Sequence, residues 1–388
     1  MDYFNKKRVP LKTEDKRELF YNKDKIKRIC EETELFLSKI DFIHSLDFTK
    51  KILFPYEIKY NNSIEGYKDN IENILNIINH PQQKKNKLKE DYQRIRNLVQ
   101  GYKYILNKKQ INKQSLQQLY HILSNNLLKE NEQLEDHKNY RQKDVYIFFS
   151  ERLDIEPDKG VCPKLIPSYI EELLSYINSN NNFSSKTDHY IKSQIIHYYF
   201  VYVHPYYDIN GRTARTLSLW YLIKNKSYPF TIFNRSIPYK KNKYYKTIRE
   251  VKQFSNINFF LTYMLENVQK EIEKEYVIAQ LDKNSNDKLT YIEKQTLQYI
   301  MENKVNTLLG FKAFYNRFNK KEKMKTIYEI MLSSLIEKRI LLLKEKTNKI
   351  MFDNKQNHFY ELNEDLINDE KHIIKKLELK KDIKKHFF

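Results

Sequence analysis

Glycine is scarce in this chain, with only five glycines in 388 residues. Average usage would give roughly five times as many. The motifs GxGxxG and GxxxxGK[ST] are both absent, which excludes a glycine-fingerprint Rossmann site and a Walker P-loop. The glycines that remain should mark positions where the backbone needs a positive φ or a close approach. Gly66 and Gly211 are the two that fall within the functional segments described below.

Most of the chain has the apolar spacing of helices. Apolar residues recur three and four positions apart, which places them on one face of an α-helix. Residues 145–149 differ because they are β-prone and follow a charged segment, so they predict a short hairpin between helices. The sequence therefore predicts a mainly α fold, a helical bundle with a short β-hairpin. The predicted helices cover residues 71–78, 116–127, 166–177, 191–202 and 214–223.

The net charge of +20 and the pI near 9.4 leave two interpretations open. One is an anionic partner, such as a nucleotide, a nucleic acid or a membrane surface. The other is a composition bias toward Lys, Asn, Ile and Tyr that carries no functional meaning. Cys30 and Cys162 lie far apart, which favours reduced thiols over a disulfide framework or a zinc site. The first residues form no apolar segment, and the longest apolar run, 195–207, is too short and too polar to span a bilayer, so we expect a cytoplasmic protein without a membrane partner.

Residues 204–215 read H-P-Y-Y-D-I-N-G-R-T-A-R and form the most informative segment. The apolar helix before them must turn at Pro205, since proline cannot continue a helical hydrogen-bond ladder. Asn210-Gly211 favours a tight turn with a positive φ, and a new helical period begins at Arg212. The segment is therefore a loop that leads into a helix amino terminus, where free N–H groups and the positive end of the dipole bind anions.

Two residues of this loop suit acid–base and metal chemistry. His204 has an unperturbed pKa near ~6.5 and can take a proton from a hydroxyl near neutral pH. Asp208 can bind Mg²⁺, a hard cation that prefers carboxylate and phosphate oxygens. We therefore expect His204 to be the catalytic base and Asp208 to be the metal ligand.

The residues that follow suit phosphate binding. Asn210, the amide of Gly211 and Arg212 can cradle phosphates at the start of the helix. Arg215 lies one turn further on the same side and can reach a terminal phosphate. Tyr206 should point inward and anchor the loop in the core. A plain helix start with a capping Asp and surface arginines would explain any one of these residues but not the set.

The segment resembles the signature of the Fic-domain family, H-x-F-x-(D/E)-G-N-G-R-x-x-R. Two positions depart from the pattern. Tyr206 replaces Phe, a mild change if its hydroxyl finds a partner. Ile209 replaces a glycine, and because a β-branched residue disfavours positive φ, we expect the loop to adopt a conformation that Ile tolerates. The positions that match in type and spacing are His204, Asp208, Asn210, Gly211, Arg212 and Arg215.

Residues 61–66, N-N-S-I-E-G, resemble the inhibitory motif of the same family, (S/T)-x-x-x-E-(G/N). Glu65 and Gly66 match, whereas Asn61 stands where Ser or Thr is usual. The resemblance implies that Glu65 pairs with Arg215, occupies the position of the γ-phosphate and holds ATP in an unproductive pose. A bidentate carboxylate–guanidinium pair would compete with the phosphate for one fork. Read alone, the segment is a surface Glu at the end of a helix.

Two further segments resemble parts of the family. Residues 140–147, Y-R-Q-K-D-V-Y-I, are similar to the flap that docks the target protein. An exposed hairpin edge can align a target segment by β-augmentation, and Val145 and Tyr146 are the candidates for that contact. Tyr244 and Tyr245 stand where family members often carry an aromatic pair near the adenine or the α-phosphate. His197 lies on an apolar helix face and is predicted to be a core residue.

The order of segments in the carboxy-terminal part predicts a winged-helix-like module. Thr290 and Glu293 form a capping box that opens a helix to residue 302. A short helical segment at 310–314, a helix at 321–338 and strand-like runs at 340–343 and 350–352 follow. Two readings stay open: a DNA-binding module, or a protein–protein module that forms a homodimer. The basic residues that would meet DNA phosphates are Lys312, Arg317, Lys320, Lys321, Lys323 and Lys325.

The predicted organisation has four parts. An amino-terminal helical region that carries the inhibitory helix precedes a Fic-type catalytic core. The winged-helix-like module and a basic amphipathic tail follow. Their predicted bounds are residues 1–95, 96–268, 281–365 and 366–388.

The resemblance implies a protein adenylyltransferase. Such an enzyme transfers AMP from ATP, with Mg²⁺, to a Ser, Thr or Tyr hydroxyl of a target protein and of itself. Doc-type kinases of the superfamily carry Lys in place of the glycine, so N-G-R-x-x-R favours nucleotidyl over phosphoryl transfer. Two alternatives stay open. The same site could remove AMP, with Glu65 orienting a water, or the chain could be a DNA-binding regulator whose site senses nucleotides, with Ile209 marking lost catalysis.

Overall fold

The computed structural model divides the chain into two compact units, Met1–Ile272 and Glu273–Phe388. The predicted bounds of the four parts stay a prediction. The described residues are 6–40, 54–69, 71–79, 89–147, 157–179, 183, 185–235, 237–285, 287–290, 293–294, 296–297, 333–344 and 359–362.

The first unit is built mainly from α-helices, as the apolar spacing predicts. All five predicted helical segments are helices in the structure, and the one predicted for residues 116–127 ends at Ser124. Among the described residues, no helix is long and apolar enough to cross a membrane. In chain order the helices are α1 (Asp24–Ser38), α2 (Phe54–Ile64), α3 (Ile71–Asn79), α4 (Lys89–Asn107), α5 (Lys113–Ser124), α6 (Ile166–Asn178), α7 (Lys186–Val203), α8 (Asn210–Lys224), α9 (Lys241–Phe254) and α10 (Asn258–Asn284), which continues into the second unit.

A β-hairpin begins the described chain. β1 (Lys6–Lys12) pairs antiparallel with β2 (Glu18–Asn22). Val9 and Leu11 are buried and alternate with exposed neighbours, which is the two-residue period of a half-buried strand. The prediction of a helical region throughout residues 1–95 is therefore wrong at this hairpin. The alternation covers only two apolar positions among lysines and an arginine, too few to stand out in the sequence.

A second hairpin lies between α5 and α6. β3 (Tyr146–Ile147) pairs antiparallel with β4 (Asp158–Lys159), with Tyr146 opposite Lys159. This confirms the hairpin that the sequence predicts at 145–149. The residues that connect the two strands, 148–156, lie outside the described residues.

The helices α7 and α8 form the centre of the first unit. Every residue of α7 from Tyr190 to Val203 is buried, and α8 is buried from Arg212 to Ile223. A helix that is buried on all sides is a core helix. The loop between the end of α7 and the start of α8 is therefore supported by the most buried part of the unit.

The described part of the second unit is small. The predicted capping box is present, because the Glu293 carboxylate accepts a hydrogen bond from Thr290 N (2.5 Å) and Thr290 Oγ1 accepts one from Glu293 N (3.3 Å). A short helix, α11 (Ser334–Glu337), precedes β5 (Leu341–Lys344), which pairs antiparallel with β6 (Phe359–Leu362). The strand predicted at 340–343 is thus confirmed. Its partner β6 was not predicted, and the runs predicted at 310–314 and 350–352 lie outside the described residues, as does the tail 366–388.

We predict that Gly101→Ala destabilises the first unit. A Cβ at Gly101 would lie 2.8 Å from Leu123 Cδ2, where α4 packs on α5, and overpacking a core costs about 1–3 kcal/mol. This cost cancels or exceeds the gain of about 1 kcal/mol that alanine brings to a helix interior. Thermal unfolding should show no gain in Tm. The matched control is Lys103→Ala at an exposed position of the same helix, which should leave Tm almost unchanged. A Tm raised by several degrees in Gly101→Ala would contradict the close packing.

Candidate active site

His204 follows the last residue of α7 in a left-handed conformation, with φ 50° and ψ 60°. Its Nδ1 lies 3.2 Å from the carbonyl oxygen of Val201. Because a carbonyl oxygen only accepts hydrogen bonds, Nδ1 carries the proton of the neutral ring and Nε2 keeps its lone pair. Burial, together with the nearby Arg141, lowers the pKa of His204 to about 4. The imidazole is therefore neutral at pH 7 and suited to accept a proton.

Arg141 holds the His204 loop, a role that the sequence does not predict. The side chain is fully buried, and its Nε donates to the carbonyl oxygen of His204 at 2.8 Å. Its backbone N–H donates to Pro205 O at 3.0 Å. The other guanidinium nitrogens donate to the carbonyl oxygens of Lys143 and Val161. Arg141 thus satisfies carbonyl groups left open at the end of α7 and ties them to residues on both sides of the hairpin formed by β3 and β4. Nothing in the sequence distinguishes it from the exposed basic residues nearby.

Asp208 lies in the same loop with an accessible carboxylate. Its side chain is 49% exposed, and its Oδ2 lies 3.9 Å from Nη2 of Arg212. No cluster of three or more His, Cys, Asp and Glu that could hold a metal occurs among the described residues. Mg²⁺ usually keeps several waters and binds one or two carboxylates plus substrate phosphates. A single open carboxylate beside a phosphate site fits that need, so the geometry is compatible with the predicted ligand.

Ile209 has the positive φ that the sequence analysis expected it to avoid. Its φ is 65° and its ψ is 8°, so the expectation of a conformation that Ile tolerates well is wrong. A left-handed conformation costs an L-residue roughly 1–2 kcal/mol. The side chain is only 2% exposed, and burying an Ile contributes roughly 1.5–3 kcal/mol. Burial of the larger side chain therefore offsets the backbone strain, and the loop keeps the geometry of a glycine position.

Asn210 braces this loop. Its Oδ1 accepts the backbone N–H of Tyr206 at 3.0 Å, and its Nδ2 donates to Tyr206 O at 2.8 Å. These contacts use the amide to close the loop, and a phosphate contact by the side chain stays a prediction. Residue 209 provides no side-chain cap for α8, so the first N–H groups of the helix, at 210–212, have no acceptor within it. An anion site at these groups, as the sequence predicts, stays a prediction.

Glu65 and Arg215 form the ion pair that the resemblance implies. The Arg215 side chain is 1% exposed and the Glu65 side chain 30% exposed. Oε1 of Glu65 accepts a hydrogen bond from Nη2 of Arg215. The sequence predicts a bidentate pair, and the observed pair is not bidentate. Asn61 Oδ1 accepts a hydrogen bond from Nε of the guanidinium at 2.8 Å, and the backbone oxygen of Asn61 accepts one from Nη2 at 3.3 Å. The fork is thus shared between a carboxylate and an amide.

The pair lies directly against Gly211. A Cβ at Gly211 would lie 2.6 Å from Glu65 Oε1 and 3.0 Å from Arg215 Nη1, which confirms that this glycine allows a close approach. The positive φ predicted for Asn210-Gly211 is wrong, because both residues begin α8 and neither has a positive φ. Burial alone would raise the pKa of Glu65, but Arg215 and Arg212 hold it below its usual value. The carboxylate is therefore ionised and occupies an anion position at the start of α8.

The end of α2 that carries Glu65 is clamped to α4. Gly66 follows with a φ of 93°, which confirms the positive φ expected there. Asp69 accepts hydrogen bonds from Asn62 and from Nη2 of Arg94, the latter at 2.8 Å. The Arg94 guanidinium also lies 3.6 Å from the ring centroid of Tyr67. These contacts hold Glu65 over the site independently of its pair with Arg215.

The other end of α2 is anchored in the core. Glu57 is fully buried and its Oε2 accepts a hydrogen bond from Nδ2 of Asn234 at 2.8 Å. Burial raises the pKa of Glu57 to about 8, so it is largely protonated at pH 7. A neutral, hydrogen-bonded group of this kind costs little to bury compared with a charge, and it keeps α2 in register.

Tyr206 points inward, as predicted. It is fully buried and its ring stacks on Tyr120 with centroids 3.5 Å apart. Its hydroxyl has no hydrogen-bond partner among the described residues. The condition under which Tyr is a mild replacement for Phe is therefore not met.

Tyr244 and Tyr245 differ in exposure. Tyr244 is buried, and its hydroxyl lies 2.9 Å from Nε2 of His197, whose Nδ1 lies 3.3 Å from Gln194 Oε1. Burial raises the pKa of Tyr244 to about 12, although Arg215 lowers it. His197 is fully buried, which confirms it as a core residue. Tyr245 is half-buried and is the member of the pair that a nucleotide base could reach.

The flap residues lie where the sequence places them. Tyr146 in β3 is 62% exposed. Val145 is half-buried, and its carbonyl oxygen accepts the N–H of Gly160 at 3.0 Å. β3 pairs only with β4 among the described strands, and target docking by an added strand at its other edge stays a prediction.

Comparison with known proteins agrees with this geometry. Residues 110–222 match the family model described as the Fic/DOC family, so the chain carries a Fic domain that includes residues 204–215 but not Glu65. A Fic family protein from Desulfovibrio desulfuricans G20 aligns with a TM-score of 0.54 and 16% identity, over 87% of this chain and 95% of that chain. This likeness shows a shared fold. Fic-1 (residues 134–508) from C. elegans aligns with a TM-score of 0.49 and 14% identity, over 65% of this chain and 72% of that chain.

We predict that Tyr206→Phe stabilises the protein. The substitution removes a buried hydroxyl without a partner and keeps the ring stacked on Tyr120. Removing such a group should raise the free energy of unfolding by about 1 kcal/mol. The control is Tyr199→Phe, because the Tyr199 hydroxyl donates to Lys12 O at 2.9 Å and its loss should lower stability by about 1 kcal/mol. Denaturant unfolding measures both, and a Tyr206→Phe variant less stable than the wild type would refute the assignment.

Proposed function

We propose that this chain is a protein adenylyltransferase that transfers AMP from ATP to a Ser, Thr or Tyr hydroxyl of a target protein and of itself. The observation that supports it most is the ionised Glu65 carboxylate between Arg215 and Gly211. An anion already occupies the start of a helix beside a buried guanidinium, and a phosphate has the same requirements. The family match also covers residues 204–215, which include His204.

The proposed reaction begins at His204. The target hydroxyl oxygen attacks the α-phosphorus of ATP and its proton passes to Nε2 of His204. A new P–O bond to the target forms while the bond from the α-phosphorus to the bridging oxygen breaks, and pyrophosphate leaves with that oxygen. A positioned base of this kind contributes roughly 10²–10⁴ in rate. The tautomer set by Val201 leaves Nε2 open to receive the proton.

The start of α8 would stabilise the charge that develops on the phosphates. The N–H groups of Gly211 and Arg212 and the Arg212 side chain face the proposed phosphate site and act as preorganised donors. Mg²⁺ held by Asp208 would neutralise phosphate charge when bound. Arg215 would receive the terminal phosphate once Glu65 leaves.

The geometry of Ile209 favours an enzyme over a nucleotide sensor that has lost its catalysis. The residue keeps a left-handed conformation and α8 still begins at Asn210. The backbone donors at the helix start are therefore not displaced by the larger side chain. The open edge of β3, with the exposed Tyr146, supports target docking by β-augmentation.

We predict that Glu65→Gly activates the enzyme. Removing the carboxylate opens Arg215 to the terminal phosphate, so self-labelling from α-labelled ATP with Mg²⁺ should rise at least about tenfold. Label from γ-labelled ATP should stay at background, because AMP transfer releases the γ-phosphate. His204→Ala in the Glu65→Gly background should abolish the labelling.

The control is Glu90→Gln, an acidic residue in the first turn of α4, which should leave labelling unchanged. Equal labelling of the wild type and Glu65→Gly would contradict the inhibitory role, and label from γ-labelled ATP would indicate phosphorylation. Release of AMP from a modified protein without ATP would support the reverse reaction. Salt-dependent duplex binding by the full chain without any labelling would support the DNA-binding regulator.

We predict that activity persists at mildly acidic pH. The pKa of His204 is lowered to about 4, so the neutral base is present above that pH and is lost only as the pH falls through it. Labelling by Glu65→Gly should be nearly constant between pH 7.5 and about 5.5. A base with an ordinary pKa near ~6.5 would lose about tenfold over this range. A tenfold loss by pH 5.5, with an unchanged circular dichroism spectrum, would contradict the buried, neutral His204.

A further inference from the structure

Asn61 makes more contact with Arg215 than the inhibitory glutamate does. Its side chain is fully buried. Oδ1 of Asn61 accepts a hydrogen bond from Nε of Arg215 at 2.8 Å, and the backbone oxygen of Asn61 accepts one from Nη2 at 3.3 Å. Two nitrogens of the guanidinium therefore bind a single residue of α2, whereas Glu65 binds Nη2 alone.

The Asn61 amide is also hydrogen-bonded on its other side. Nδ2 donates to the hydroxyl of Tyr102 at 3.2 Å. Tyr102 is itself buried, and its ring packs edge-on against Phe54 at 5.1 Å. A flip of the amide would place an N–H against the guanidinium, which only donates, and lose the contact with Nε. The guanidinium therefore sets the orientation of the amide, and the contact with Tyr102 anchors the side chain in the core.

Asn61 and Glu65 differ in charge and in exposure. Asn61 is neutral, so its contact leaves the positive charge of Arg215 available to an anion. Glu65 is ionised and 30% exposed, so it can be displaced toward solvent while Asn61 stays in place. The same helix therefore holds the guanidinium with one residue and blocks it with another.

We propose that Asn61 is a positioning residue that orients Arg215 toward the terminal phosphate of ATP. In this account α2 supports catalysis through Asn61 and inhibits it through Glu65. The inference rests on the proposed function for the identity of the ligand, ATP. Serine or threonine, which the resembling motif has at this position, is one bond shorter than asparagine, so the contact with Nε is a feature of this chain.

The test is calorimetric binding of ATP and of ADP, with Mg²⁺, to variants in a background that carries both Glu65→Gly and His204→Ala. Without His204 we expect no transfer during the titration, so a failure of the proposed function appears separately, as absent labelling by Glu65→Gly with His204 intact. Because ADP lacks the terminal phosphate, a residue that orients Arg215 should affect ATP and ADP unequally. The variants are Asn61→Ala and Asn61→Ser, which is too short to reach Nε but keeps a polar group on the helix. The matched control is Ser63→Ala, because Ser63 lies on the same helix and its hydroxyl donates to Lys59 O, away from Arg215.

We expect Asn61→Ala to weaken ATP binding roughly tenfold or more, the effect of losing a hydrogen bond to a charged group. The affinity for ADP should change by less than about threefold, and Ser63→Ala should change neither. In the Glu65→Gly background with His204 intact, the labelling rate at saturating ATP should also fall, since a misoriented phosphate is not corrected by concentration. Unchanged ATP affinity, or equal losses for ATP and ADP, would overturn the proposal. If Asn61→Ala fails to fold in a thermal unfolding assay, Asn61→Ser decides by the same ATP-to-ADP ratio.

Discussion

The buried guanidinium of Arg215 is the constraint on which the rest of the site depends. A charge whose side chain is 1% exposed must be paired or hydrogen-bonded. The helix α2 supplies both kinds of partner, the neutral amide of Asn61 and the ionised carboxylate of Glu65. When the carboxylate withdraws, the charge needs another anion. The buried positive charge of Arg215 therefore explains the position of Glu65 over Gly211, and a phosphate would pair with the same charge.

A second buried arginine, Arg141, supports the loop of His204, the proposed base, and not the pair of Glu65 with Arg215. Arg141 holds the carbonyl groups at the end of α7 and connects them to the flap. His204 is thus oriented by Arg141 and Val201, while the anion site is oriented by α2. The hydrogen bonds of Arg141 and Val201 in the His204 loop do not involve Glu65. The proposed inhibition would therefore act on the nucleotide and leave these hydrogen bonds in place.

The sequence predicts well those features that depend on spacing alone. The helical periods of α7 and α8 follow from residue types at fixed intervals, whereas the pair of Glu65 with Arg215 follows from the resemblance to a family motif. It fails where long-range packing decides. Burial of the Ile209 side chain offsets the strain of a positive φ, which a β-branched residue disfavours. Burial of Arg141 allows a residue of a basic segment to support the His204 loop. The monodentate geometry of the ion pair also depends on a third residue, Asn61, whose contact no local pattern shows.

The most direct test of this account is a crystal structure of the wild type and of Glu65→Gly, each with a non-hydrolysable ATP analogue and Mg²⁺. The distance to be measured joins the terminal phosphate and the guanidinium of Arg215. In the variant we expect direct hydrogen bonds, with Asn61 still bound to Nε. In the wild type we expect Glu65 to keep its contact with Arg215 and the terminal phosphate to lie elsewhere. A wild-type structure in which the terminal phosphate binds Arg215 while Glu65 stays in place would contradict the account.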